Sequence, residues 1–317
     1  LQTTYEDNLR IIEDSVAYLK SNGKRVIYDA EHFFDGYKAD SSYALETLKA
    51  AIRGGAEMVV LCDTNGGSMP WEVEQTIREM KAQITHPFGI HPHNDSETAL
   101  INALAAVREG AVQVQGTING VGERCGNVNL CSVMANLELK MGYQCLPKGN
   151  IQNLYDLSHF VAEVANLTPD EHLPFVGKSA FAHKGGVHVA AMRRSPISYQ
   201  HIEPELIGNK MRVVVSDLSG RGNLLSKAEE HGVEVEGTEV VPVLNEIKEL
   251  ESRGFSFEAA EASVAIMLKR QEYGYKPPFE LIDFLVNVEH RQGRGIFAEA
   301  MVKVKVNDEV YHTAAEG

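Results

Sequence analysis

The chain has 317 residues, 44% hydrophobic and 23% charged, enough for a large core and more than one domain. Its 44 acidic residues against 30 Lys and Arg give a net charge of −14, which argues against nucleic acid and anionic membrane as partners. That balance still permits one anionic ligand in a local basic pocket.

The first half alternates helical and strand patterns. Leu9, Ile12, Val16 and Leu19 have helical spacing, and "SNGK" ends that helix. "RVIYDAE" (25–31) reads as a buried strand. Leu45, Leu48 and Ile52 mark a helix with Asp40 or Ser41 as N-cap and "GG" at 54–55 as its stop. "MVVLCD" (58–63) is a second strand, and Pro70 opens a helix carrying Val73, Ile77 and Met80. "FGIHPH" (88–93) is a third strand, followed by a helix holding Ala99 to Val107. "VQVQGT" (112–117) is a fourth. A β-α-β series with short connections implies a parallel sheet.

After residue 128 the pattern changes. Residues 151–167 and 239–271 look helical, and "SAFAHKGGVHVAAM" and "VVVSDLSGRGN" lie between them. From about 276, period-two alternation around "RQGRG" reads as a β-hairpin of a separate small domain. No apolar run is long enough to span a bilayer and no signal-peptide pattern is present. Cys62, Cys125, Cys131 and Cys145 lack zinc-type spacing and read as reduced thiols of a cytoplasmic protein.

Polar residues gather at one end of every strand: Asp29 and Glu31, then Asp63, Thr64 and Asn65, then His91, His93, Asn94 and Asp95. The fourth strand runs into Thr117, Asn119, Glu123, Arg124 and Asn127. Carboxyl ends of parallel strands carry the chemistry of α/β proteins. No GxGxxG follows the first strand, so a dinucleotide fold is disfavoured. An H-x-H on a strand offers two imidazoles from one face, which suits a divalent metal, although such a pair alone is more often ordinary polar surface. The neighbouring "GTINGVGERCGN" adds Asn127 and Glu123 at the same rim. Two His and an amide make three ligands for a metal, and a carboxylate from elsewhere completes the set.

"HPHND" followed by "GTINGVGERCGN" resembles the family of 2-isopropylmalate, homocitrate and citramalate synthases. "YDAEHFFDGYKAD", "LCDTNGG", "SAFAHKGGVHVAAM" and "VVSDLSGRGN" most resemble its citramalate branch. The resemblance implies a metallolyase-type (β/α)8 barrel that condenses acetyl-CoA with a 2-oxo acid, here pyruvate. A barrel takes ~250 residues and four strands are legible, so the expectation is the C-terminal half of a barrel in a fragment that begins at Leu1 and stops at "VYHTAAEG". Residues 1–145 are assigned to that half-barrel and 146–275 to a post-barrel helical subdomain. Residues 276–317 are assigned to the start of a β-rich regulatory and dimerisation domain that binds isoleucine or leucine.

The resemblance implies His91, His93 and Asn127 as metal ligands for Mn, Mg, Zn or Co. It implies Thr64 as the binder of the substrate carboxylate, and Glu31 and His188 as catalytic groups. The family's L-R-D-G motif, with a further Asp ligand and an Arg for the oxo-acid oxygens, is absent from this sequence. Plainer readings stand beside these: Glu31 as partner of a rim cation, Thr64 as a strand-end cap, His183 in place of His188, and His32 as surface. Ser219, Gly220 and Arg221 form either a nest for an anionic part of coenzyme A or a plain turn. Core packing explains Cys62 and Cys125. The alternatives are 2-isopropylmalate synthase, a metal-dependent acyl-CoA lyase or aldolase, and an inactive fragment.

Overall fold

The computed structural model describes residues 3–216, 219–293 and 295–317. It divides into two compact units, Leu1–Ala182 with Gln200–Arg212, and His183–Tyr199 with Val213–Gly317.

The first unit opens with α1 (Tyr5–Ser21), whose N-cap Thr4 accepts from the Asp7 N–H. Then follow β1 (Ile27–Ala30), α2 (Phe33–Ala39), α3 (Ser41–Gly54), β2 (Met58–Asp63), α4 (Pro70–Lys81), β3 (Phe88–Pro92), α5 (Ala99–Arg108), β4 (Gln113–Val114), α6 (Leu130–Leu139) and α7 (Leu154–Val164). Asp40 is the cap of α3, accepting from the Tyr43 N–H, and Gly55 ends that helix in the left-handed region. The four strands are parallel and lie in sequence order, β1-β2-β3-β4.

Strand alternation sorts the two faces of this sheet. Ala30, Val59, Leu61, Phe88 and Ile90 face outward and share a core with Leu48, Val73, Ile77, Met80, Ala99 and Ala103 of the covering helices. On the other face, register aligns Asp29, Val60, Gly89 and Gln113 in one row. Two residues further along, Cys62 pairs with His91. A run of Asp, Cys, His and Gln side chains on one face of a parallel sheet is a functional face, since structural parallel strands are apolar on both sides. Cys131, Ala135, Leu154, Phe175, Val176, Phe181 and Ile207 form a second apolar cluster.

In the second unit, α8 (Gly186–Arg194), α9 (Arg221–Glu230), α10 (Val240–Ser252) and α11 (Glu261–Lys269) are helical. Short strands β5 (Ala182–His183) and β6 (Arg212–Val213) lie where the chain passes between units. Leu224, Ala228, Val240, Val243, Ile247, Val264 and Leu268 make the core of this unit. The helical stretch read over 239–271 is two helices, because the chain turns at Gly254 (φ +96°). The expected hairpin is a three-stranded antiparallel sheet, β7 (Glu280–Arg291), β8 (Gly295–Val306) and β9 (Glu309–Glu316). Asn307 and Asp308, both at positive φ, close its second turn, as a two-residue hairpin loop requires. Among the described residues, no helix is long and apolar enough to cross a membrane.

Candidate metal centre

Three strand-end loops are sewn together by their backbones. The His93 N–H donates to Asp63 O at 3.1 Å, Asn94 N–H to Gly126 O at 3.0 Å, and Val128 N–H to Pro92 O at 3.1 Å. Arg124 fastens the same loops with its side chain. Its guanidinium donates to both Asp95 oxygens at 2.7 and 3.0 Å and to the Thr64 carbonyl at 2.7 Å. The Arg124 hydrogen bond holds the Asp95 carboxyl below the usual carboxylate range. Gly126 (φ +87°) has no room for a side chain, since a Cβ would lie 2.0 Å from the Gly120 carbonyl. At Gly122 a Cβ would lie 2.1 Å from Asn127 Oδ1. The glycines of "GVGERCGN" thus let the loop fold over the Asn127 amide.

His91, His93 and Asn127 meet at one point. Asn127 Nδ2 lies 2.9 Å from His91 Nε2 and 3.4 Å from His93 Nε2, and the two ring centroids are 5.3 Å apart. His93 stands one residue beyond β3 and faces Asn127 across an isolated bridge, which brings it to the centre although it lies outside the strand. In this rotamer the Asn127 NH2 donates toward the two imidazole nitrogens, and its Oδ1, the atom that can bind a metal, lies on the Gly122 side. Two imidazole nitrogens with the Asn127 oxygen, once the amide turns over, fit a divalent ion of borderline hardness. His93 Nδ1 is buried and unpartnered, while its Nε2 is the nitrogen that faces Asn127.

A second trio, Asp29, Cys62 and His91, brings ligand atoms within 4.8 Å of one another. Burial pushes the Cys62 thiol far up, with Asp29 and Glu31 adding to the shift. His91 Nδ1 is held by Gln115 at 2.7 Å.

The other expected residues fall as follows. Thr64 Oγ1 accepts from the His32 N–H at 2.8 Å, which is the capping role. Glu31 is exposed just beyond β1. His32 is a surface residue at positive φ, with Nδ1 3.7 Å from Asp35. Glu123 does not join the centre: its side chain is 80% exposed and sits 3.8 Å from the Arg124 guanidinium. Cys125 is exposed, not packed in a core, because the tight turn at Gly126 carries it outward.

In the second unit, His188 is exposed on α8 and stacks on Tyr199 with centroids 4.2 Å apart. His183 is buried, its Nε2 unpartnered, and burial lowers its pKa with a smaller contribution from His188. Ser219 is buried, and its hydroxyl closes a turn by accepting from the Ser216 N–H at 2.9 Å. Gly220 caps α9, and Arg221 is the exposed first residue of that helix.

Sequence reasoning missed Gln115. Its only signal was the alternation that places Gln113 and Gln115 on the face of His91.

A family model described as HMGL-like matches residues 1–161, and one described as "Homocitrate synthase post-HMGL domain-like" matches residues 175–254. The chain belongs to the HMGL-like family. Its parallel sheet, with the polar centre at the strand ends, accords with the TIM-barrel fold of HMGL-like proteins. Among relatives, an (R)-citramalate synthase of Geobacter sulfurreducens is 53% identical over 320 residues, covering 100% of this chain and 61% of the relative. An (R)-citramalate synthase of Aquifex aeolicus is 48% identical over 321 residues, with the same shares of 100% and 61%. A 2-isopropylmalate synthase of Sulfolobus acidocaldarius is 34% identical over 270 residues, covering 85% of this chain and 68% of that one. The chain therefore spans 61% of the length of the first two relatives.

Proposed function

We propose that this chain supplies the metal-binding core of a citramalate-forming synthase, which joins acetyl-CoA to pyruvate and releases citramalate and CoA. The observation that carries the reading is the meeting of His91, His93 and Asn127 at one point. The 53% identity to a citramalate synthase, against 34% to a 2-isopropylmalate synthase, favours pyruvate over a larger oxo acid. The four-stranded sheet is read as half of a closed (β/α)8 barrel, because its polar face is partly open among the described residues where a barrel would be filled.

A divalent metal at the centre would polarise the 2-oxo group and offset the negative charge that develops on its oxygen. Thr64, which already accepts from His32, has a hydroxyl proton to donate to the pyruvate carboxylate. His188, exposed on α8, is assigned the removal of the acetyl-CoA methyl proton, and Glu31 the relay of protons at the strand end. The methyl carbon then bonds to C2 of pyruvate, and that carbonyl oxygen takes a proton. Water hydrolyses the thioester to a carboxylate and frees the CoA thiol. The turn Ser219–Gly220–Arg221 is assigned to an anionic part of coenzyme A through the exposed Arg221. Residues 1–145 and 146–275 are read as the half-barrel and its subdomain. Residues 276–317 are read as part of a regulatory domain that binds isoleucine or leucine and supports a homodimer. A cytoplasmic location fits four free cysteines.

The test joins this chain to the remaining segments of the Geobacter relative and follows thiol release from acetyl-CoA. Turnover with pyruvate that disappears in His91→Ala and His93→Ala is the expected result. A folded graft that is inactive, or that prefers a branched oxo acid, overturns the reading.

A further inference from the structure

Gln115 lies immediately beyond β4, where its own N–H donates to Ile90 O at 2.9 Å. Its side-chain amide reaches two groups on other strands. The Nε2 lies 3.0 Å from Asp29 Oδ1 on β1, and the Oε1 lies 2.7 Å from His91 Nδ1 on β3. Asp29 lies on β1 and Gln115 just beyond β4, the two outermost strands of the described sheet, and the two are 86 residues apart. Both side chains stand on the polar face, so the contact closes over the inside of a curved sheet.

The chemistry of these groups leaves one arrangement. A carboxylate only accepts, so Asp29 must face the amide nitrogen of Gln115. The amide oxygen must then face His91, and an amide oxygen also only accepts. In the neutral ring the single proton of His91 therefore sits on Nδ1. The lone pair is left on Nε2, the nitrogen that points at His93 and Asn127.

We propose that Gln115, oriented by Asp29, is a positioning residue that fixes the His91 tautomer and ring angle so that Nε2 is presented to the metal centre. The inference rests on the reading of His91 as a metal ligand. It adds a link in which a charge on β1 selects the proton position of a ring on β3 through an amide on β4. Ligand histidines are commonly held through their second nitrogen, and removing the holder costs roughly ten- to a hundredfold in metal affinity.

The test compares wild type with Gln115→Met, which keeps length and loses the acceptor. Two quantities are read: the 15N shifts of the neutral His91 ring without metal, and the Co2+ affinity by titration. Wild type should show a protonated Nδ1. Gln115→Met should show mixed tautomers and bind Co2+ about ten- to a hundredfold more weakly, with an unchanged melting temperature. A Gln115→Met protein with the wild-type ring spectrum and affinity overturns the proposal. If Gln115→Met does not fold, Asp29→Asn at the exposed end of the chain of bonds takes its place. An Asn can donate, so the Gln115 amide is free to turn over, and mixed His91 tautomers are again expected; a wild-type ring spectrum overturns the proposal. If wild type binds no Co2+, the metal reading fails, and the ring spectra still decide whether Gln115 sets the tautomer.

Discussion

Gly122→Ala tests how the glycine-rich loop serves the centre. The new Cβ would lie 2.1 Å from Asn127 Oδ1, and ordinary contact begins at 3.4 Å, so the amide must retreat by about 1.3 Å. Asn127 is held by the loop backbone, with its N–H on Gly120 O at 3.1 Å, so the side chain and its loop shift together. A displacement near 1 Å at a reacting centre costs about a hundredfold in rate, or about 2.7 kcal/mol. Metal affinity should fall by about tenfold or more. Gly67→Ala in the neighbouring loop is the control, because a Cβ there meets nothing within 4 Å. The assays are Co2+ titration of both variants and thiol release in the grafted enzyme. A folded Gly122→Ala protein with wild-type metal affinity would refute the steric argument.

Other outcomes follow from groups outside the centre. Glu72 accepts from the Met69 N–H at the start of α4 and pairs with Lys38, which together hold its carboxyl below the usual range. Its stabilisation is therefore present at neutral pH and lost as pH falls through that lowered pKa. Glu72→Ala should cost about 1 kcal/mol at neutral pH, and melting curves of the two proteins should converge in acid. Lys227 is buried, with Nζ 2.8 Å from Glu230 and 3.3 Å from Glu261, both partly exposed. Lys227→Met, which keeps the volume, should cost less than about 1.5 kcal/mol in urea unfolding, and Lys227→Ala about 2–5 kcal/mol. Cys125 should react first with a thiol reagent: at Cys145, also exposed, partial desolvation and Glu138 raise the thiol pKa, and Cys62 and Cys131 are buried. Mass mapping of the first labelled cysteine checks this.

Much of the fold was legible because it rests on local pattern. β2 occupies the residues read for it, since "MVVLCD" is an uninterrupted apolar run bounded by turns. β4 is shorter than the strand read over 112–117. Gly116 packs so tightly on Val128 that a Cβ would lie 2.5 Å from Cγ1, and the chain leaves the ladder there. His91, His93 and Asn127 were legible through the resemblance of "HPHND" and "GTINGVGERCGN"; strand-end position and residue type alone offered Glu123 equally, and its side chain turns to the surface. Gln115 was not legible, because its role exists only where the sheet curves enough to bring Asp29 to it. The surface positions of Glu123 and Cys125 were equally hidden, since they follow from the turns at Arg124 and Gly126, both at positive φ.

The measurement that bears most directly on the account is pulsed EPR of the protein loaded with Mn2+ and labelled with 15N in histidine. The centre predicts coupling from two imidazole nitrogens, reduced to one in His93→Ala. Bound Mn2+ without histidine coupling, or coupling unchanged when His91 and His93 are both replaced, would contradict it.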